Sequence, residues 1–271
     1  MEQPDIQNPA LWRLLVLFGR NTLSAVAIST VDDTQTAIVT VPCDSKSTAA
    51  VEEAVYSVPM LTADFSRVDV LVDTPHYLVA PAALTADERH AAAAYSCLSD
   101  DEEVLRSDAI APLNASVEWS CNAAMADFLA RTFRNPTVMC RVTPLLRYLG
   151  VRDAGGNSAK TYVHLGAGVV NTVDVVVIDR DGSLLACTTK DAPTAVDATY
   201  WAAAVMRQSG LDPAKDSVYL CGDPSLRMAA LPMLRRVAAN VLPLIYPSAA
   251  LRGTHDMMKV PFPLILIPLC E

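Results

Sequence analysis

The chain opens with three apolar runs that are rich in β-branched residues and separated by short polar stretches. The segment reads "LWRLLVLFGRNTLSAVAISTVDDTQTAIVTV", and its runs are interrupted at Gly19-Arg20-Asn21 and at Asp32-Asp33. Both interruptions have the composition of tight turns, and β-branched runs favour strands. The pattern therefore predicts an antiparallel three-stranded meander.

A helix and a fourth strand follow the meander. In "STAAVEEAVYSVPML", apolar residues recur at Val51, Ala54 and Val55, which is the spacing of one helix face. Ser47 or Thr48 stands where an N-cap is expected. The next apolar run, "RVDVLVD", predicts a short buried strand.

The second half of the chain repeats this order. "TYVHLGAG", "TVDVVVID" and "SLLACTT" predict three strands, "TAVDATYWAAAVMRQSG" predicts a helix that stops at Gly210, and "DSVYLCGD" predicts the next strand. Equivalent positions keep a nearly constant spacing: Gly166 lies 147 residues after Gly19 (166 − 19), and Tyr200 lies 144 after Tyr56 (200 − 56). A shared order at this spacing indicates a duplication.

The two halves differ after the fourth strand. The second half continues directly to a helix, "SLRMAALPMLRRVAA", and a strand, "VLPLIY", whereas the first reaches "NAAMADFLARTF" and "TVMCRV" by a longer path. Val241 lies 103 residues after Val138, so the first half has about 44 additional residues (147 − 103), an insert at about 76–120. The insert predicts a helix, "TADERHAAAAYSCL", and a hairpin that turns at Pro112-Leu113-Asn114. Glycines near residue 155 predict subdomains at 1–155 and 156–271.

The repeated unit resembles a ribonuclease-H-like sheet, and two such units in one chain resemble the actin-like ATPase architecture. The predicted fold class is therefore α/β, with two ribonuclease-H-like subdomains of mixed sheet and flanking helices. The segments "VDVLVDTPHYLVAPAALTADE", "NPTVMCRVTPLLRYL", "DATYWAAAVMRQSGLDP" and "VPFPLILIPLCE" resemble an uncharacterised bacterial family, mostly from Bacteroidetes, that has this fold. The pilus-assembly and secretion proteins of the same fold are more distant relatives.

The resemblance implies where a nucleotide site would lie. "FGRNTLS" corresponds to the first phosphate turn, "HLGAGVVN" to the second, and "VYLCGDPSLRM" to the adenosine motif. Phosphate turns present backbone N–H groups to the ligand. The candidate binding residues in these three segments are Gly19, Asn21, Thr22, Gly166, Gly168 and Gly222.

The residues that this fold uses on the metal side are missing. An Asp is expected two residues before each turn glycine, because Mg²⁺ prefers hard oxygen ligands. Leu17 and His164 occupy these two positions, and neither supplies a carboxylate. The adenosine motif has Asp223 and Pro224 where further glycines are expected, and the first turn contains the bulky Arg20.

Two interpretations of Gly166 and Gly168 follow. They form a phosphate cradle, or they form a tight hairpin turn that needs positive φ angles. His164, two residues before Gly166, favours the hairpin turn. Arg20 could likewise meet an anion, although an Arg in an exposed turn is more often solvated.

Charge and cysteine content narrow the expected partners and compartment. The formal net charge of −9 argues against nucleic acid and anionic membranes. Seven cysteines without a CxxC pair are typical of reduced thiols in a cytoplasmic protein, and no metal site is expected from the scattered histidines. No segment reads as a secretory signal or a membrane span, so a cytoplasmic protein is expected.

The leading hypothesis is a non-catalytic cytoplasmic binding or scaffold protein with a degenerate nucleotide site. It predicts no bound cofactor, and either an unknown protein partner or self-association. The alternative is an actin-like ATPase or sugar-kinase-like phosphotransferase that binds ATP and Mg²⁺ through displaced acids, with Asp174, Asp179 and Asp223 as candidates. A filament-forming polymer is a third hypothesis.

Overall fold

The computed structural model describes residues 6, 8–99, 101–152, 156–246, 257 and 260–270. By its internal contacts the chain divides into two compact units, one made of Met1–Arg147 with Pro247–Glu271 and the other of Tyr148–Tyr246. The boundary expected at residue 155 lies outside the described residues. Residues Pro247–Glu271 group with the first unit, whereas the sequence pattern assigned them to the second.

The described residues of the first unit form two sheets. The strands are β1 (Trp12–Phe18), β2 (Thr22–Ser29), β3 (Thr36–Pro42), β4 (Arg67–Val72), β5 (Tyr77–Pro81), β6 (Glu103–Ile110), β7 (Ala115–Asn122) and β8 (Thr137–Cys140). The larger sheet has the order β3-β2-β1-β4-β8, with its first three strands antiparallel and β4 and β8 parallel to β1. The smaller sheet, β5-β7-β6, is antiparallel and lies within the predicted insert.

The insert contains the predicted helix and hairpin. The β6–β7 connection is a 3-10 turn at Ala111–Leu113, followed by Asn114 with φ of +48°. Asn is among the few residues that adopt this left-handed conformation readily. The hairpin therefore turns at the Pro-Leu-Asn sequence that the pattern indicated.

The first unit contains helices that begin at polar caps, namely α1 (Thr48–Tyr56), α2 (Ala86–Cys97) and α3 (Ala123–Thr132). The next helix, α4 (Thr143–Arg152), contains the boundary between the two units, which falls after Arg147. The Ser47 hydroxyl accepts the N–H of Ala50 in α1, and Thr85 forms a capping box with Glu88 in α2. Such contacts satisfy N–H groups that have no partner within the helix, so local sequence sets where each helix starts.

The second unit has one five-stranded sheet in its described residues. Its elements are β9 (Lys160–Gly166), β10 (Thr172–Ile178), β11 (Leu184–Asp191), α5 (Ala195–Gln208), β12 (Ser217–Gly222), α6 (Pro224–Val237) and β13 (Asn240–Pro243). The order β11-β10-β9-β12-β13 and the strand directions match those of the larger sheet in the first unit. Every residue of β10 is buried, so this strand lies at the centre of the unit.

A short apolar helix explains why the end of the chain groups with the first unit. Helix α7 (Phe262–Leu266) packs against β1, and all five of its residues are buried. The thiol of Cys270 donates to the carbonyl oxygen of Pro144 at 3.4 Å. Burial of this apolar segment is favourable wherever a sheet face accepts it.

Candidate functional site

The six candidate residues fall into two groups, one in each unit. Gly19, Asn21 and Thr22 lie in and after the β1–β2 turn of the first unit. In the second unit, Gly166 and Gly168 lie at the end of β9 and in the β9–β10 turn, and Gly222 ends β12. Strands β9 and β12 are parallel, with Gly222 opposite Leu165, so the three glycines of this unit lie at one edge of its sheet.

The first turn is closed by its own backbone. The N–H of Gly19 donates to the carbonyl oxygen of Thr22 at 2.8 Å, and the carbonyl oxygen of Asn21 accepts the N–H of Cys43 at 3.1 Å. The carbonyl oxygen of Arg20 accepts the Ser45 hydroxyl at 3.3 Å. The Gly19 N–H, which a phosphate cradle would present to its ligand, is therefore already bonded within the turn.

The position two residues before Gly19 is apolar and buried. Leu17 lies in β1, paired with Leu71 of β4, and its exposed fraction is 7 %. An aliphatic side chain in this environment stabilises the unit through burial and offers no oxygen to a metal ion.

The second turn has two glycines for a reason other than positive φ. The expectation of positive φ at Gly166 and Gly168 is wrong, because the positive-φ glycines of the described chain are Gly182, Gly210 and Gly222. Gly166 is required sterically, since a Cβ there would lie 2.6 Å from the Thr172 hydroxyl oxygen.

The tip of the second turn is apolar and internally bonded. The N–H of Gly168 donates to the side-chain oxygen of Asn171 at 3.2 Å. Val169 and Val170 are 80 % and 40 % exposed, so the turn presents valine side chains to its surroundings. Sequence reasoning did not find Asn171, although a polar Asn three residues after a loop Gly is a recurrent turn partner.

His164 forms part of a buried polar row that crosses the sheet. Its Nδ1 lies 2.8 Å from Oδ2 of Asp174, and the Thr189 hydroxyl donates to Oδ1 of Asp174 at 2.7 Å. The three residues stand opposite one another on β9, β10 and β11. The side chains of His164 and Asp174 are 6 % and 0 % exposed, so the Asp174 carboxylate is buried and contacts neighbours within the sheet.

Cys221 continues the row on β12, opposite His164. Its side chain is fully buried, and the thiol donates to the carbonyl oxygen of Val163 at 3.7 Å. Burial, followed by the charge of Asp174, raises the pKa of the Cys221 thiol. A thiol in this state is a small apolar side chain and not a nucleophile.

Gly222 is held in a conformation that only glycine accepts easily. Its φ is +99°, and a Cβ there would overlap the carbonyl oxygen of Leu165. The Gly222 N–H donates to the Tyr246 hydroxyl oxygen at 3.1 Å. This glycine allows two parallel strands to approach closely, which is a structural requirement in its own right.

The Asp-Pro pair after Gly222 begins a helix. The Asp223 carboxylate accepts the N–H groups of Ser225 and Leu226 at 2.9 and 3.0 Å, and Pro224 stands at the first position of α6. Burial alone would raise the pKa of Asp223, but the hydrogen bonds from Ser225 and Leu226 outweigh it and hold the pKa below its ordinary value. The residues that depart from the glycine-rich adenosine motif therefore form a regular N-cap.

The three displaced acids considered for an active enzyme do not lie together. Asp174 is buried in the middle of β10, whereas Asp223 caps α6 beside the β9 end. Asp179 lies in the β10–β11 turn, where its carboxylate accepts the N–H of Arg180 at 2.7 Å. That turn is at the opposite end of the seven-residue β10 from Thr172, a separation of about 20 Å.

Sequence reasoning also missed a buried charge in the first unit. The Asp69 side chain on β4 is 0 % exposed and accepts the Nε of Arg13 at 2.7 Å and an Nη of Arg67 at 3.2 Å. The available signal was a charged residue inside each of two apolar strands, because a carboxylate is buried only when it is paired.

The positions two residues before Gly19 and Gly166 carry no carboxylate. Neither position preceding a turn glycine supplies a free carboxylate, since Leu17 is apolar and His164 is bonded to Asp174. Among the described residues, no three His, Cys, Asp or Glu side chains are grouped so that they could hold a metal ion. The same part of the chain contains no helix that is long and apolar enough to cross a membrane.

Solved structures with a similar fold cover nearly the whole length of the chain. A Bacteroides thetaiotaomicron protein with an actin-like ATPase fold and unknown function has a TM-score of 0.78 at 16 % identity, with 97 % of this chain and 99 % of that chain covered. The PilM-PilN type IV pilus biogenesis complex has a TM-score of 0.57 at 13 % identity, with 97 % and 98 % covered. These similarities confirm the predicted fold class.

The sequence itself identifies the family. No curated protein matches the chain. Residues 2–241 match the family described as "Protein of unknown function (DUF3822)". The resemblance to an uncharacterised family with an actin-like fold is thereby confirmed, and the chain belongs to the DUF3822 family of proteins of unknown function.

Proposed function

We propose that this protein is a non-catalytic member of the actin-like fold that acts as a binding or scaffold protein and does not hydrolyse nucleotide. The observation that carries the proposal is the His164–Asp174 pair. The position that should hold a metal-side carboxylate has an imidazole, and that imidazole is buried 2.8 Å from a carboxylate of the neighbouring strand. A buried, paired group is expensive to withdraw from its partner and is therefore poorly suited to bind a metal ion.

Two further contacts support a degenerate site. The N–H groups of Gly19 and Gly168 donate within their own turns, to Thr22 and Asn171, and so compete with any phosphate. The exposed side chain of Val169 at the tip of the second turn has no polar group that could bond an anion. Each feature weakens a different interaction that nucleotide binding would need.

The proposal includes a duplicated origin for the two units. The larger sheet of the first unit and the sheet of the second unit have the same strand order, and the same backbone hydrogen bond recurs in each. The N–H of Asp73 donates to the carbonyl oxygen of Phe18, and the N–H of Asp223 donates to that of Leu165, both at 2.9 Å. On this view the second unit kept the architecture of a nucleotide-binding half while the residues of the metal site changed.

A protein partner fits this proposal better than a small substrate. The related PilM is known in complex with PilN, which is a property of that protein and serves here as motivation. None of the seven cysteines is in a disulfide, which is consistent with residence in the reducing cytoplasm, where we place the protein.

Thermal unfolding with and without Mg·ATP tests the proposal. A ligand present at 100 times its Kd would stabilise the fold by about 2.7 kcal/mol, which corresponds to a shift of roughly 5–11 °C for a chain of this size. We expect a shift below about 1 °C, the scatter of the method, because the site lacks its metal ligands. ADP and Mg²⁺ alone serve as parallel arms.

Phosphate release distinguishes the proposal from the ATPase alternative. We expect release no faster than from a heat-inactivated sample. A shift of several degrees together with release above that background would overturn the proposal. The variants Asp179→Asn and Asp223→Asn would then show whether either acid has taken over the missing function.

A further inference from the structure

Helix α2 covers one face of the small β5-β7-β6 sheet with very little apolar contact. It packs against all three strands of that sheet. Of its 12 residues, the buried ones are Ala93 and Cys97, whose side chains are small. Most of the stability of a helix in a protein comes from an apolar face that packs on the rest of the fold. Packing therefore holds α2 only weakly in its place.

Helix α3 of the same unit is packed far more firmly. Four of its ten residues are buried, and they include the large side chains of Met125, Phe128 and Leu129. Burying such a side chain contributes several times as much as burying an alanine methyl group. Both helices begin at a side-chain cap, Thr85 for α2 and Asn122 for α3. The two helices thus differ in their packing and not in their start signals.

The middle strand of the small sheet presents polar side chains to α2. Ser116, Glu118 and Ser120 alternate along β7 and therefore share one face of the sheet. The Ser120 hydroxyl donates to the carbonyl oxygen of Cys97, the last residue of α2, at 2.8 Å. This contact identifies the polar face as the one that α2 covers. A polar surface of this kind can be solvated when the helix leaves, so uncovering it costs less than uncovering an apolar core.

The buried Glu118 carboxylate has partners that do not belong to α2. The hydroxyls of Ser107 on β6 and Ser116 on β7 both donate to its Oε1. Arg89 of α2 is a third partner, with its Nε 3.3 Å from the same oxygen and its side chain 24 % exposed. A buried carboxylate is costly to leave without hydrogen bonds. Because two of the three contacts come from the sheet, the departure of α2 does not leave Glu118 in that state.

We propose that α2 is a strap that opens and closes over the small sheet while the rest of the first unit stays folded. Local openings of this kind occur where little apolar contact holds a segment to the fold. Opening uncovers the polar face of β7 and the thiol of Cys97, which the closed protein buries. The inference goes beyond the proposed function and does not depend on it, because it concerns the insert and not the turns of the candidate site.

The test is hydrogen exchange of the full-length protein, followed by mass spectrometry at urea concentrations below the unfolding transition. The amides of residues 91–97 in α2 and 127–132 in α3 are compared after correction for their intrinsic exchange rates. We expect α2 to exchange at least about a hundredfold faster than α3, because α3 buries more apolar surface. Exchange in α2 should also accelerate less steeply with urea, since its opening exposes less surface than global unfolding. Corrected rates within about tenfold of each other, or an equal urea dependence, would overturn the proposal.

Thiol modification distinguishes detachment of α2 from fraying of the helix in place. The native protein is treated with a short pulse of N-ethylmaleimide, and the modified cysteines are mapped by peptide mass spectrometry. Cys97 should react before Cys140 and Cys221, which are also buried but lie in the strands β8 and β12. Reaction of all three thiols at one rate would show that Cys97 is uncovered only by global unfolding, and it would overturn the proposal.

A variant of the contact between α2 and the sheet makes the assignment specific. Arg89→Met removes the contact with Glu118 and the hydrogen bond to the Leu84 carbonyl oxygen, and it should accelerate exchange in α2 about two- to fivefold. Arg131→Met on α3, where the Nε donates to the backbone oxygen of Asp127, is the matched control and should leave α2 unchanged. Equal acceleration of both helices in the Arg89 variant would indicate global opening and contradict the proposal. If this variant does not fold, the comparison of the two helices in the wild-type protein decides.

Discussion

Replacing His164 by Leu removes a buried hydrogen-bond partner of Asp174. In the wild-type protein the Asp174 carboxylate lies 2.8 Å from the imidazole and accepts the Thr189 hydroxyl at 2.7 Å, with none of its side chain exposed. Leucine has a similar volume but donates no hydrogen bond, so the variant buries a carboxylate that has lost its nearest titratable partner.

The expected cost follows from this burial. Leaving a buried acceptor without one of its hydrogen-bond partners typically costs about 1–3 kcal/mol. For a chain of this length each kcal/mol lowers Tm by about 2–4 °C, so the variant should melt about 2–12 °C below the wild type. The double variant His164→Leu/Asp174→Leu removes the carboxylate as well, and it should recover most of that loss because replacing both hydrogen-bonded partners by apolar groups can be nearly neutral.

The assay is urea unfolding at pH 7, followed by near-UV and far-UV circular dichroism. Asp181→Asn, in the exposed β10–β11 turn, is the matched control and should change the free energy of unfolding by less than about 0.5 kcal/mol. A loss below about 1 kcal/mol for His164→Leu would show that the pair is not a buried structural contact. A double variant that is as unstable as the sum of the two single variants would refute the reasoning about charge burial.

Three further changes test the turns of the second unit by the same unfolding assay. Gly222→Ala should cost at least about 3 kcal/mol, since a Cβ would overlap the Leu165 backbone at a φ of +99°; a variant of wild-type stability would contradict that geometry. Gly166→Ala should lower the free energy of unfolding by about 1–3 kcal/mol, because the new Cβ would clash with the Thr172 hydroxyl oxygen. Adding Thr172→Ala removes that oxygen and should restore part of the lost stability. If the double variant shows no recovery, the loss has another cause. Asp223→Ala should cost about 1 kcal/mol at pH 7 through the lost cap. The folded pKa of Asp223 is lowered, so the charge-dependent part of its contribution to stability is complete above about pH 4 and is lost as the pH falls through the folded pKa. The free energies of unfolding of the wild type and of Asp223→Ala should therefore converge in acid. A difference that stays constant with pH would count against the charged cap.

Most of the architecture could be predicted from local patterns. Residues that act on their immediate neighbours predict the strands of the two five-stranded sheets. They also predict the helix start at Ser47 and the helix stop before Gly210. The sequence could not predict that the last apolar segment groups with the first unit, because a helix such as Phe262–Leu266 can be buried against any sheet that accepts it. The conformation of Gly166 was mispredicted for a similar reason: the constraint comes from the Thr172 side chain across the turn.

The candidate site shows the same division more sharply. The resemblance to the actin-like fold predicted where the two turns lie, and it placed Leu17 and His164 at the positions where that fold has carboxylates. It could not tell that Asp174 is the partner of His164, or that Asp223 is a helix cap.

What the sequence determined by itself is the order of the elements and the chemistry available at each turn, because alternation, turn residues and caps act over a few positions. What only the tertiary structure decided is which polar groups are already bonded. Arg13 and Asp69 are 56 residues apart and Thr189 and Asp174 are 15 apart, and strand pairing brings each pair within hydrogen-bond distance. A buried charge must find a partner wherever the sheet provides one, so the role of these residues was fixed by the sheet and not by their place in the chain.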